Sequence, residues 1–557
     1  MTTLSVELEG GVPAAPEAVG PGWRTLALLL AVPACLIGIF AYPNVQLATM
    51  PLSVSLPILL AVAAGIVLAG RARLLILLPL ISAFLPSPEL GFVAYLVALG
   101  FFLLVYGGAR LVRPLDALDW ALLAVLLWTL MSWLVNLGDQ TDLWSLPVFT
   151  LTFLAPWLLL FTARAAAWSP ADLGAITVTY AALVTSQLAP AFLKPIVLRM
   201  PEAFSVPLIP LQVTKVALIR NFLAAGDASD MTSGTTPSAH HLGIALLLFA
   251  VFLVALNAAS RRRVLVWLLA AVVFVFLMTD SKHVILSAVP AGLVFAAIVL
   301  WPALAARWRR VLTVAGVIVA VTVGPLLAVK AARILVDGLW RPYIVLAKIN
   351  PKVQLVMRTG ELLSHGSLDT WIGYGPGSYA TRAATIRATD VLFKEAQRLP
   401  DFIPPYTSPA YRSVAYDLYT ADIVATAQFR SGVLTNPFSS LIGIVGEYGI
   451  AGSAVVALFL WLLARAGFRR WRDEGADRRV RAAGATLGFA VPFLVCLGIF
   501  DSYFEQPDIT AAIVTLALLA LADGTGRWVT RSGAGGGTSG TGRTLPDPAA
   551  APTTLSP

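Results

Sequence analysis

Charge is what this sequence has least of. Only 12% of its 557 residues are Asp, Glu, Lys or Arg, against about 25% in a typical soluble domain. With 58% hydrophobic residues and a mean hydropathy of +0.81, too little polar material remains to cover a water-facing surface. A soluble enzyme, a disordered chain and a fibrous one are excluded. Cysteine is almost absent. Cys35 and Cys496 both fall inside apolar runs, which leaves no disulfide framework and no thiolate metal site. Histidine numbers four. His240 and His241 follow the stretch Thr232–Ala239, but with no His-Glu-x-x-His spacing and no nearby carboxylate pair they do not make a metal site. No metal and no cofactor are expected.

What is present is long apolar runs. A membrane-crossing helix needs about 20 mostly apolar residues, and the chain offers about fourteen such segments by that measure. They lie near 23–42, 51–69, 73–86, 90–107, 117–136, 144–163, 172–193, 242–259, 263–279, 284–304, 311–330, 440–464, 484–501 and 508–522. The third and the last are short enough to be re-entrant. The first begins only at Trp23 and is followed by many more, so it reads as a retained span and not as a removed signal peptide. The expectation is an all-α polytopic membrane protein.

The loops set its orientation. Arg71 and Arg73, Arg110 and Arg113, Arg164, Arg261–Arg263, Arg307 with Arg309 and Arg310, and the run from Arg465 to Arg481 all follow even-numbered spans. Short odd-numbered exits such as Pro43–Met50, Pro86–Glu89 and Asn136–Asp142 carry no Lys or Arg, and Lys282 is the exception. This pattern explains the net charge of +9 as membrane topology, with no nucleic-acid partner, and places both termini in the cytoplasm. Residues 1–22 and 523–557 read as disordered cytoplasmic tails; from Arg531 on, Gly, Ser, Thr, Pro and Ala dominate. Residues 23–330 hold the first eleven spans, with an external loop at 194–241. Residues 331–439 form a large, mostly helical extracytoplasmic cap, too long for a structureless connection, and 440–522 hold the last three spans.

Chemistry-bearing residues gather on the external side. Within Lys352–Gly366, Arg358, Glu361 and His365 fall at i, i+3 and i+7 of an amphipathic helix. That face is either an anion-binding and proton-transfer cluster or a solvated surface with an ordinary ion pair. Gly373-Tyr-Gly375-Pro-Gly377-Ser-Tyr379 makes a tight, donor-rich turn able to approach a phosphate, without the strand–helix context of a dinucleotide fingerprint. The cap's aromatic residues suit a half-wet sugar site or a surface resting at the membrane interface. Lys282, at the mouth of a span, either holds an anion or snorkels to the interface.

Four pieces in order resemble the O-antigen ligase and O-antigen polymerase superfamily of bacterial membrane glycosyltransferases, over roughly the second half of the chain. They are Ser233-Gly-Thr-Thr236 before a span, Ser281-Lys282 with Leu286 at a span start, Arg358 ahead of Gly373–Tyr379, and Glu447-x-Gly449-x-x-Gly452 entering the next span. Lysine stands at 282 where the family has arginine. Near Phe438, where the family has a histidine, the chain has none; Thr435, Asn436 and Ser439 are the polar residues there. The missing histidine tilts the reading from ligase toward polymerase.

The resemblance implies transfer of a glycan from undecaprenyl diphosphate on the external face of the cytoplasmic membrane, alongside other polysaccharide-assembly membrane proteins. It implies Lys282, Arg358, Arg220 or Arg341, with Gly373, Gly375 and Gly377, on the diphosphate, and Glu447, Glu361 or His365 as proton acceptor. Alternatives are a lipid-linked oligosaccharide flippase or other transporter, which the near-absence of charge within the spans disfavours, and a non-catalytic glycan-assembly protein.

Overall fold

The computed structural model describes residues 52–85, 90–112, 114–191, 236, 238–260, 263–279, 281–300, 350–388, 403–419 and 438–522. Among them there is no β-strand, and they form an all-α arrangement whose long apolar helices are those of a membrane protein. In chain order the helices are α1 (Leu52–Leu68), α2 (Leu78–Ser82), α3 (Leu90–Val112), α4 (Ala117–Val135), α5 (Ser145–Phe149), α6 (Ala155–Ala163), α7 (Pro170–Ser186), α8 (Ala239–Ser260), α9 (Arg263–Met278) and α10 (Lys282–Phe295). The cap segment contributes α11 (Pro351–Ser364), α12 (Leu368–Ile372), α13 (Arg382–Arg387) and α14 (Pro409–Val414); α15 (Ser440–Arg472), α16 (Arg478–Leu497) and α17 (Pro507–Leu521) close the chain.

Eight stretches among the described residues are long and apolar enough to cross a bilayer: 90–110, 117–135, 145–163, 170–191, 239–260, 282–299, 440–472 and 478–497. Four of the expected spans are shorter apolar helices, at 55–68, 72–82, 264–278 and 507–521. The expected spans 23–42 and 311–330 lie outside the described residues, as do both tails and most of the 194–241 loop.

Local chemistry sets the helix ends. Asp116 caps α4 in a reciprocal box with Asp119, and Ser169 caps α7 in the same way with Asp172, ahead of Pro170 in the first turn. The fifth and sixth helices are joined by a π-turn at Thr150–Leu154, just ahead of Pro156, which has no N–H to give the preceding turn. The sixteenth helix is the hub: it packs on α8, α10, α15 and α17, and its helix-facing side is fully buried from Ala482 to Leu497.

The bundle has two dissimilar ends. At one, the turns after α1, α3, α6 and α15 bring basic residues together, and we call it the basic end. Arg110 and Arg164 both bind Asp119, and Arg164 also binds Asp116. Arg73 donates to the Tyr106 hydroxyl at 3.2 Å and lies 3.8 Å from Asp172. The other, the cap end, gathers the 136–145 turn, the starts of α8, α10 and α15, the 498–506 turn and helices α11–α14.

Candidate functional site

The cap end is organised around a break in α15. Gly449 has φ +64° and ψ −172°, a conformation that side-chain-bearing residues rarely adopt. The break frees the carbonyls of Gly446, Glu447 and Tyr448 from the helix ladder, and each finds a donor. Tyr374 N–H donates to Gly446 O at 2.9 Å, and Gly375 N–H to Glu447 O at 3.1 Å. Ser132 Oγ also donates to Glu447 O at 3.1 Å, and Trp128 Nε1 to Tyr448 O at 3.0 Å. The Gly-rich turn and α4 thus supply the bonds that irregular, buried backbone needs.

The fit is close enough to require glycine. A Cβ on Gly373 (φ +85°) would sit 2.2 Å from Glu447 O, and one on Gly446 would sit 2.0 Å from the Tyr379 ring. At Gly452 it would meet the Trp128 indole at 2.1 Å. The Gly-x-Gly-x-Gly turn and the Glu-x-Gly-x-x-Gly segment, some seventy residues apart in sequence, are therefore two halves of one contact. The turn's donors at 374 and 375 serve protein carbonyls, so they are not open to a phosphate; the physical demand that fixes Gly373 and Gly375 is close backbone approach. Gly377 (φ +72°) lies against the backbone of Ser145.

Glu447 lies under this contact and is fully buried. Its Oε1 accepts from the Thr381 hydroxyl and, at 3.2 Å, from Tyr379 N–H; its Oε2 is buried with no hydrogen-bond partner. Close by, with a charge that bears on Glu447, is Glu505 in the turn before α17. Glu505 Oε2 accepts from Ala383 N–H at 3.1 Å. Burial pushes the Glu505 carboxyl up to about 8, against which the Ala383 N–H and the Arg382 guanidinium pull it down. Two buried carboxyl groups thus share the underside of the cap.

A second polar cluster adjoins the starts of α8 and α10. Three of the four histidines meet there. His240 and His283 have ring centroids 4.4 Å apart, His283 Nε2 is 2.5 Å from Tyr503 Oη, and His241 Nε2 lies 2.6 Å from Gln506 Oε1 and 3.2 Å from Asp508. Lys352, buried on α11, donates to Phe500 O and is near enough to His283 for their charges to interact. Burial lowers the Lys352 ammonium to about 7, with Asp501 opposing. Among the described residues, no group of His, Cys, Asp and Glu is arranged to hold a metal ion.

The cap is pinned to the bundle by a buried pair. Arg387, with no exposed side-chain surface, binds Asp142 through both terminal nitrogens and donates to Ser145 Oγ at 3.1 Å and Pro404 O at 2.9 Å. Burial raises the Asp142 carboxyl, but Arg387 outweighs it and holds the group below its usual range.

The expected site residues divide on this frame. Glu447 is at the centre, and Gly373, Gly375 and Gly377 lie in the turn against it. Lys282, half-buried, begins α10 beside His283. Arg358 is on α11 but faces the cap's own surface, bonding Asp417 at 2.5 and 2.7 Å; that bond holds the Asp417 carboxyl down. Glu361 and His365 are exposed on the same helix, and their partner across the surface is not Arg358, which is engaged by Asp417. Arg220 and Arg341 lie outside the described residues.

Sequence reading missed Lys352, Arg387 with Asp142, Glu505 and the convergence of the histidines. One signal was available: Asp501, Glu505 and Asp508 crowd a short turn between two apolar spans. No protein-family model matches the chain, and no curated protein matches it.

Proposed function

We propose that the protein is a membrane glycosyltransferase that polymerises or transfers a glycan carried on undecaprenyl diphosphate, working at the cap end on the external face of the cytoplasmic membrane. What supports the reading is that two of the sequence pieces behind the resemblance, Gly373–Tyr379 and Glu447–Gly452, meet in one buried contact that holds a carboxyl group. Glu447 is the proton acceptor for the incoming sugar hydroxyl, its free Oε2 taking the proton. The reaction forms a glycosidic bond to that hydroxyl and breaks the bond from the sugar to the diphosphate, which leaves on its lipid. Lys282, and Arg358 from the cap, neutralise the charge growing on the leaving diphosphate. Since Glu447 is covered, the turn at 373–383 must lift for substrate to enter, in the manner of a lid.

The test is deletion of the gene, complemented by wild type or Glu447→Gln, with lipid-linked and surface glycans separated by chain length. Single repeat units accumulating on the lipid indicate a polymerase; long chains stranded on the lipid indicate a ligase. An unchanged profile on deletion refutes the reading and favours transport or a glycan-independent role.

A further inference from the structure

A groove of about 930 Å³ runs along α15 between α10 and α16, from Leu441, Ile444 and Phe504 at the cap end to three arginines at the basic end. Its α15 wall repeats at helical spacing, from Leu441 and Ile444 through Val456 and Leu460. Val294 and Ile298 face it from the tenth helix and its continuation, and Val491 and Val495 from the sixteenth. The charged side chains that line it are Arg465, Arg469 and Arg472, all at the basic end and all exposed. No carboxylate lines the groove among the described residues, and the nearest paired guanidinium, Arg470, uses Asp473 outside it. Arg465 lies 5.0 Å over the exposed ring of Trp461, the kind of amphipathic residue that marks a membrane interface.

The dimensions match a lipid. Past the break at Gly449, the stretch of α15 from Ile450 to Arg472 extends about 34 Å at about 1.5 Å per residue, a little beyond a hydrocarbon core of about 30 Å. The apolar stretch therefore lies at acyl-chain depth, and the three arginines lie at headgroup depth. In a bilayer such a slot fills with lipid chain, and three guanidiniums without carboxylates select a negative headgroup. We propose that this groove binds an anionic phospholipid from the leaflet at the basic end, its phosphate between Arg465, Arg469 and Arg472 and an acyl chain between α10, α15 and α16. The three arginines lie at the opposite end of the bundle from Glu447.

Native mass spectrometry of the full-length protein, exchanged into phosphatidylglycerol or phosphatidylcholine at matched concentrations, tests it. Wild type keeps phosphatidylglycerol adducts under activation that strips phosphatidylcholine. The Arg465→Gln, Arg469→Gln, Arg472→Gln triple variant loses at least about tenfold of that preference. Ala457→Trp, which puts an indole into the groove and leaves the arginines in place, loses the adduct too. A triple variant at Arg478, Arg479 and Arg481, at the same end but outside the groove, keeps it. Equal retention of both lipids by wild type overturns the proposal. So does loss in the control variant equal to that in the groove variant, since surface charge alone would then account for binding.

Discussion

The basic end and the cap end bury charge in opposite ways. At the basic end every buried ion has its counterpart. Asp119 is shared by Arg110 and Arg164, and Asp116 completes the set, so the charges tie α3, α4 and α6 together. At the cap end Arg387 and Asp142 follow that rule, and the Arg382 guanidinium bears on Glu505, but Glu447 does not follow it. Both glutamates lie fully buried, held by backbone N–H groups and a hydroxyl, with a bare oxygen on Glu447. Compensated charge is what packing tolerates; a carboxyl group buried without a cation is a feature that folding alone disfavours, and such groups cluster at sites of chemistry. The difference sets a paired, structural end against the end to which we assign the proposed chemistry.

Substitutions that separate the cap from the bundle give the largest effects. Gly446→Leu drives a branched side chain into the Tyr379 ring and costs more than about 4 kcal/mol, the scale of severe core disruption; limited proteolysis then cleaves the cap while the spans stay in the membrane. Arg387→Ala leaves the partly exposed Asp142 with only its Ser145 bonds and costs about 1–3 kcal/mol, read as a fall in the thermal midpoint in detergent. A midpoint within a degree of wild type would show that the cap is not pinned by this pair.

Which features were legible in the sequence follows from what each depends on. Apolar runs and loop arginines depend on composition over about 20 residues, so most described spans and the basic end were legible. The break at Gly449 was legible only as a glycine motif. Its purpose, three carbonyls handed to Ser132, Trp128 and the 374–375 backbone, depends on contacts hundreds of positions apart. The pairing of Arg358 was misjudged for the same reason. Helical spacing presents Glu361 as a neighbour, whereas the folded cap brings Asp417 to it from 59 residues away. The histidine cluster needs three separate segments to converge, which no local spacing reveals.

The pH response sharpens the comparison further. Glu505, raised from 4.5 to about 8, binds its proton in the folded state where the unfolded chain has lost it. It therefore subtracts stability as pH rises from about 4.5 through 8. Lys352, lowered from 10.5 to about 7, acts the other way. The unfolded chain holds the extra proton between about 7 and 10.5, so stability from this group rises with pH there. Thermal midpoints at pH 6 and pH 9 should accordingly show Glu505→Gln gaining on wild type toward alkaline pH. Lys352→Met should fall progressively behind. Parallel curves for all three proteins would mean that these groups titrate as they do in water.

The smallest effect belongs to Arg358. Its pair with Asp417 is 30% and 55% exposed, and Arg358→Ala should cost no more than about 1 kcal/mol. The small effect is on stability alone: glycan product should fall in that variant with the midpoint unmoved, and unchanged product would remove the guanidinium from the diphosphate.

The most direct test sets Asp119→Asn beside Glu447→Gln, measuring thermal midpoint and glycan chain length for each. The expectation is that Asp119→Asn, which leaves Arg110 without its carboxylate and Arg164 with Asp116 alone, lowers the midpoint sharply, whereas Glu447→Gln stays folded at wild-type abundance and yields no transferred glycan. A folded Glu447→Gln protein with a wild-type glycan profile would contradict it.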